Sequence, residues 1–230
     1  MKTIGLLGGM SWESTQSYYA LINQGVKEAL GGLHSARMLI CSVDFAEIAE
    51  LQQRNEWDQA GELLAAEALR LQQAGAELLL IGTNTMHKVA PAIEAAISIP
   101  LLHVADAAAA ALKAEGVQRA GLLGTAFTME QAFYRERLAA NGIEVITPEP
   151  AERADIHRII FEELCLGELR DSSRQRFVQI IDALAAQGAA GIILGCTEIG
   201  LLVQQQDTPI RLFDTTRIHA QAAVATALGR

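Results

Sequence analysis

The sequence predicts an α/β protein made of two related halves, each a parallel sheet covered by helices. Two observations carry that expectation. Short, continuously apolar runs alternate with amphipathic helical patterns along the whole chain, and strands apolar throughout belong to parallel sheets buried on both faces. The chain also repeats itself. Gly75-Ala-Glu-Leu-Leu-Leu-Ile-Gly82-Thr83-Asn84-Thr85 resembles Gly188-Ala-Ala-Gly-Ile-Ile-Leu-Gly195-Cys196-Thr197-Glu198, and Ile4-Gly-Leu-Leu-Gly8-Gly9-Met10-Ser11 resembles Ala120-Gly-Leu-Leu-Gly124-Thr125-Ala126-Phe127. The offsets of the two pairs nearly agree. Thr83 and Cys196 are then counterparts, a hydroxyl in one half and a thiol in the other.

The elements follow in order. A strand over Thr3–Leu7 runs into Gly8-Gly9, and a helical pattern over Ser14–Leu30 stops at Gly31-Gly32. Strand Arg37–Ser42, helix Glu56–Gln73 and strand Glu77–Ile81 complete the first series. Proline breaks the pattern at Ile99-Pro100. The second series reads as strand Arg119–Leu123, helix Met129–Ala140, strand Glu144–Ile146, helices Ala151–Glu163 and Ser172–Gln187, and strand Gly191–Leu194. After Pro209 come strand Ile210–Phe213 and helix Thr215–Leu228, which can return to the first half. The expected domains are residues 1–99 plus 210–230, and residues 100–209.

Composition narrows the function. Half of the 230 residues are hydrophobic, enough for a sizeable core. With 18 basic and 27 acidic residues the net charge is −9, which argues against nucleic acid as a partner, because phosphate binding needs a basic face. No apolar run reaches the roughly 18 residues of a membrane span, and Met1-Lys2 leads directly into a strand rather than a secretory signal. Cys41, Cys165 and Cys196 are an odd number at wide spacing, which suggests a reducing cytoplasm.

In parallel sheets, ligands bind beyond the carboxyl ends of the strands. Four loops lie at such ends: Gly8–Glu13, Gly82–His87, Gly124–Thr128 and Gly195–Glu198. Each opens with glycine followed by small or hydroxyl residues, so backbone N–H groups can face an anionic ligand such as a carboxylate. Tight strand-to-helix turning explains one such glycine as well as ligand binding does, but four in a row favour a site. Familiar signatures are missing. Gly5-Leu-Leu-Gly8-Gly9 is not a dinucleotide fingerprint, and there is no phosphate loop, nucleophile elbow, H-E-x-x-H or C-x-x-C. No cofactor or metal is expected, and Lys88 has the position of an ordinary solvated lysine.

Gly8-Gly9-Met10-Ser11-Trp12-Glu13-Ser14-Thr15, Asn84-Thr85-Met86-His87, Leu194-Gly195-Cys196-Thr197-Glu198 and Asp214-Thr215-Thr216-Arg217-Ile218-His219-Ala220 resemble the signature segments of the aspartate/glutamate racemases, and more narrowly the cofactor-independent aspartate racemases. The resemblance implies two pseudo-symmetric Rossmann-like domains with the active site in the cleft between them, often in a homodimer. It also implies racemisation without pyridoxal phosphate, by two cysteines on opposite faces of the α-carbon of a small amino-acid substrate. A thiol suits both halves of that task, because its ordinary pKa near about 8.5 lets it act as base and as acid, and a helix N-terminus would favour its thiolate further. The implied catalytic residues are Cys196 and Thr83. The implied substrate-binding residues are Met10, Ser11, Gln52, Asn84, Thr85, Thr125, Thr197 and Glu198.

Two departures from the family pattern matter. Where the first cysteine is expected, this chain has Thr83, a far weaker acid and a poor base. In Ile156-His157-Arg158-Ile159-Ile160-Phe161-Glu162-Glu163-Leu164-Cys165, the family's tyrosine and lysine positions are taken by Phe161 and Cys165, so a cation for a dicarboxylic side chain is lost unless Arg54 replaces it. Three readings therefore stand. The first is an amino-acid racemase, with aspartate or glutamate as first substrates and a wider range open. The second is a one-cysteine decarboxylase of the arylmalonate decarboxylase type. The third is a non-catalytic amino-acid-binding protein. His87 caps its helix or takes part in catalysis, and Cys41 and Cys165 read as packing residues.

Overall fold

A computed structural model describes all residues, Met1–Arg230, and divides them into two compact units, Met1–Val104 with His219–Arg230, and Ala105–Ile218. The first unit holds β1 (Ile4–Gly8), α1 (Trp12–Leu30), β2 (Met38–Ser42), α2 (Phe45–Gln53), α3 (Trp57–Gln73), β3 (Leu78–Ile81) and α4 (Ala90–Ala96). The second holds α5 (Val104–Ala114), β4 (Arg119–Gly124), α6 (Ala126–Glu130), α7 (Ala132–Ala140), β5 (Glu144–Ile146), α8 (Pro150–Glu162), α9 (Asp171–Ala186), β6 (Gly191–Gly195), α10 (Ile199–Leu202) and β7 (Leu212–Asp214), and α11 (Thr215–Leu228) closes the chain. No helix is long and apolar enough to cross a membrane.

Both sheets are parallel, with strand orders β2-β1-β3 and β5-β4-β6-β7. The internal repeat explains the likeness. Its two segments in the first half become the neighbours β1 and β3, and their counterparts become the neighbours β4 and β6. In each unit the strand that follows the leading helix returns to the other side of the leading strand, as β2 and as β5. Thr83 follows β3 and Cys196 follows β6, so the two stand at equivalent places in their own sheets.

The core of the first unit shows why helices cover the sheet. Tyr18, Ile22 and Val26, spaced by four on α1, meet Ile4, Leu6, Leu78 and Leu80 from the sheet and Ala220, Ala223 and Val224 from α11. That spacing puts one apolar stripe on a helix face. Gly25 lets α1 and α11 approach closely, since a Cβ there would lie 3.0 Å from a Val224 methyl. In the second unit a Cβ on Gly121 would lie 2.7 Å from Ile192 and 2.9 Å from Leu184, so glycine permits β4, β6 and α9 to close up.

Three expectations need correction. β7 pairs with β6, Ile193 facing Phe213 and Leu194 facing Asp214, so the last strand stays with the second sheet and only the helix after it, from His219, returns to the first unit. The unit boundaries accordingly fall at 104/105 and 218/219 rather than at 99/100 and 209/210. The helix expected over 129–140 is broken at Gln131, whose backbone is extended (ψ 149°), into α6 and α7.

Candidate functional site

In the first unit, glycine starts the site. The chain leaves β1 through Gly9 at φ +91° and continues through a cis Met10–Ser11 peptide. A Cβ on Gly9 would lie 2.2 Å from the Val43 carbonyl oxygen, so the close approach of the two backbones requires glycine. Ser11 caps α1, its hydroxyl accepting from the Ser14 N–H at 3.2 Å. Thr15 Oγ1 accepts from the Gly9 N–H at 2.7 Å and donates to the Ser11 carbonyl at 3.0 Å. The Ser14 hydroxyl donates to the Gly82 carbonyl at 2.8 Å, which ties the loop after β1 to the loop after β3. Met10, Ser11, Asn84 and Thr85 are buried and Thr83 is half-buried. Gln52, buried on α2, donates its amide to Met86 Sδ at 2.9 Å and so abuts the same turn.

His87 holds this turn in place. The Val104 N–H donates to its Nε2 at 3.2 Å, so the proton resides on Nδ1, which donates to the Thr83 carbonyl at 2.8 Å. Both contacts are satisfied by the neutral ring, and burial pushes the pKa of His87 well below the ordinary histidine value. The side chain positions Thr83. It caps the start of α5 through the Val104 N–H rather than its own helical turn.

The second unit carries its candidate residues at the ends of β4 and β6. Thr125 caps α6, accepting from the Thr128 N–H at 3.3 Å, with the two hydroxyls 3.2 Å apart. A Cβ on Gly124 would lie 3.0 Å from the Gly195 carbonyl oxygen, and one on Gly195 would lie 2.9 Å from that of Leu123. The paired glycines bring the loops that carry Thr125 and Cys196 out side by side. Cys196 is half-buried, Thr197 and Glu198 are buried, and the Cys196 thiol donates to Glu198 Oε2 at 2.9 Å.

This geometry corrects the expected protonation of Cys196. The following helix, α10, has only four residues, and its dipole falls off within a turn. Burial pushes the thiol pKa well above its ordinary value, and the negative charge of Glu198 and coupling to the nearby Cys165 thiol push the same way. Cys196 therefore rests as a thiol, with a carboxylate placed to accept its proton. Arg54 pairs with Glu50 at 2.5 Å, both side chains being exposed. Sequence reasoning missed Ser14 and Thr15, which brace the glycine loop, and His157, whose Nδ1 accepts from the Ala126 N–H at 3.1 Å. No signal short of the fold marks a histidine 31 residues away as a partner of that loop.

A second histidine sets an expected pH dependence of stability. His219 Nε2–H donates to the Leu102 carbonyl at 2.7 Å, and the Tyr18 hydroxyl donates to its Nδ1 at 2.9 Å. Burial pulls its pKa down to about 4. A histidine whose folded pKa is depressed binds its proton more readily in the unfolded chain. Stability is therefore full above the unfolded value, near about 6.5, and declines as the pH falls towards 4. Each such group contributes a slope approaching about 1.4 kcal/mol per pH unit inside that window. The melting temperature should be flat above pH 7 and fall between pH 6.5 and pH 4, and His219→Gln should flatten part of that fall. A melting temperature unchanged between pH 7 and pH 5 would contradict this account.

Comparison with known proteins agrees with the fold. The Asp/Glu/hydantoin racemase family model matches residues 7–223. The structure of a candidate Asp/Glu racemase from Yersinia pestis superposes at TM-score 0.93 with 56% identity, covering 99% of this chain and 100% of that one. An aspartate racemase homologue from Pyrococcus horikoshii OT3 superposes at TM-score 0.87 with 34% identity over 99% of this chain and 100% of its own. The broad specificity amino-acid racemase RacX of Bacillus subtilis (strain 168) is 24% identical over 228 residues, 98% of each chain.

Proposed function

This chain belongs to the Asp/Glu/hydantoin racemase family, and on that premise we propose that it interconverts the L and D forms of a free amino acid by moving the α-proton through Cys196, without pyridoxal phosphate or a metal. The observation that carries the proposal is the Cys196 thiol at the end of β6 with Glu198 Oε2 at 2.9 Å. Glu198 takes the thiol proton as Cys196 takes the α-proton, and the electron pair stays on the α-carbon, delocalised into the substrate carboxylate. In the opposite direction the thiol delivers its proton to that carbon while Glu198, protonated, returns one to the sulfur. The hydroxyls and backbone N–H groups of Ser11, Thr85, Thr125 and Thr197 are the donors suited to the carboxylate, whose charge grows in the transition state. Met10, Gln52 and Asn84 fix the amino acid beside them. Thr83 serves the face opposite Cys196, relaying the proton directly or through a water, and transfer at that face is the slow step.

The test is α-proton exchange in deuterated water. A racemase exchanges and inverts an amino acid. A one-thiol decarboxylase instead releases carbon dioxide from an arylmalonate, and a binding protein does neither. Within the racemase reading, the enantiomer whose α-proton faces Cys196 should exchange faster than it inverts. Because the equilibrium constant is one, kcat/KM is the same for both enantiomers. Thr83→Cys should raise racemisation in both directions by about tenfold, equivalent to ~1.4 kcal/mol, and should speed exchange of the enantiomer facing residue 83. Unchanged rates in a folded variant would show that residue 83 does not limit proton transfer.

A further inference from the structure

The side-chain end of this site can be read from α8. His157 and Phe161 lie four residues apart on that helix, and Cys165 follows in the 3-10 turn Leu164–Leu166. All three are half-buried, whereas Ile156, Ile159 and Ile160 turn into the core. The stripe borders the site loops. His157 accepts from the Ala126 N–H, next to Thr125, and its ring lies 5.9 Å from that of Phe127. The Phe161 ring is stacked at a tilt 4.7 Å from His157. Cys165 lies close enough to Cys196 for the two thiols to be electrostatically coupled.

The arginines of α8 and α9 that flank this stripe, and Arg170 between them, are all paired. Arg153 is paired with Glu130 at 2.9 Å, Arg158 with Glu163 at 3.3 Å, Arg170 with Glu168 at 2.5 Å, Arg174 with Asp171, and Arg176 with Asp155 at 3.0 Å. His157 does not supply a cation. Its Nδ1 is an acceptor, and burial lowers its pKa against the opposing pull of Glu130. In the first unit, Arg54 is committed to Glu50. A substrate carboxylate beyond the α-carbon would meet a phenyl ring, a neutral imidazole and a thiol, which do not replace the water it gives up. An aromatic ring or a thioether would gain from all three.

We infer that the His157–Phe161–Cys165 face of α8 is the specificity wall of the site, and that it selects amino acids with uncharged, polarisable side chains over aspartate and glutamate. This deepens the racemase reading and rests on it for the chemistry, but binding tests the wall separately from turnover. Initial α-deuterium uptake would be followed for L-methionine, L-phenylalanine, L-aspartate and L-glutamate, and calorimetric binding of the same four would be measured on the full chain. The expected result is a preference of tenfold or more for methionine or phenylalanine in both assays. Phe161→Lys, which adds a cation to a half-exposed position, should move the ratio towards aspartate or glutamate by at least tenfold, while Phe161→Leu should leave the preference for uncharged substrates in place. If the lysine variant does not fold by circular dichroism, Cys165→Lys makes the same test. Binding of the uncharged amino acids without any exchange would sink the racemase reading and leave the wall standing. Tighter binding of aspartate or glutamate by the wild type, no binding of any of the four, or ratios within twofold across folded variants would overturn the inference.

Discussion

Cys196→Ser should lower kcat for α-proton exchange by at least a hundredfold, about 2.7 kcal/mol in barrier terms. The substitution leaves the loop intact, because a hydroxyl can still donate to Glu198, the present partner of the thiol at 2.9 Å. It removes the group that can exist as a base. Even the thiol is held protonated by burial and by Glu198, and a hydroxyl in the same surroundings starts from a far higher pKa. Cys41→Ser is the matched control. That thiol donates to Glu67 Oε2 at 3.1 Å from β2, with its pKa raised to about 11, and belongs to no part of the proposed chemistry. Activity of Cys196→Ser within tenfold of the wild type, with an unchanged melting temperature, would rule out Cys196 as the principal acid and base.

The placement of Thr83 and Cys196 was legible because it follows from repetition. Segments that repeat and end in glycine become parallel neighbours twice over, so the residue after each glycine lands at the same station in its own sheet. Less visible was anything that depends on a partner distant in the chain. The apolar run before Asp214 announces a strand but not its neighbour, and Pro209 looks like a boundary although the strand beyond it pairs with β6. Residues 129–140 contain neither glycine nor proline, so periodicity reads one helix, and the extended backbone at Gln131 reflects packing rather than local preference. The charge state of Cys196 lay between the two cases. Glu198 stands two residues on, but only the fold aims its carboxylate at the sulfur and shows how short the following helix is. The His157 contact with Ala126 is wholly tertiary, and it is what joins α8 to the loop that carries Thr125.

Gly9→Ala should be the most damaging substitution outside the chemistry itself. An alanine would have to adopt φ +91°, and its Cβ would lie 2.2 Å from the Val43 carbonyl oxygen and 2.5 Å from the Val43 nitrogen. Those are backbone atoms, so neither can rotate away. Left-handed strain and overpacking together cost about 2–5 kcal/mol, which in a chain of this size lowers the melting temperature by roughly 4–20 °C. The damage should also reach activity. Val43 donates its N–H to the Gly8 carbonyl at 3.1 Å and precedes Asp44, which caps the helix bearing Gln52. Displacing it moves Met10 and Ser11 on one side and loosens the Gln52–Met86 contact on the other. Gly31→Ala separates the two causes, because Gly31 has φ +76° with nothing within 4 Å of an added Cβ. That variant should lose only the cost of its positive-φ backbone (φ +76°, ψ −176°), about 1–3 kcal/mol, and keep full activity. Equal melting shifts for the two variants would mean that the backbone approach between Gly9 and Val43 is not what makes glycine necessary there.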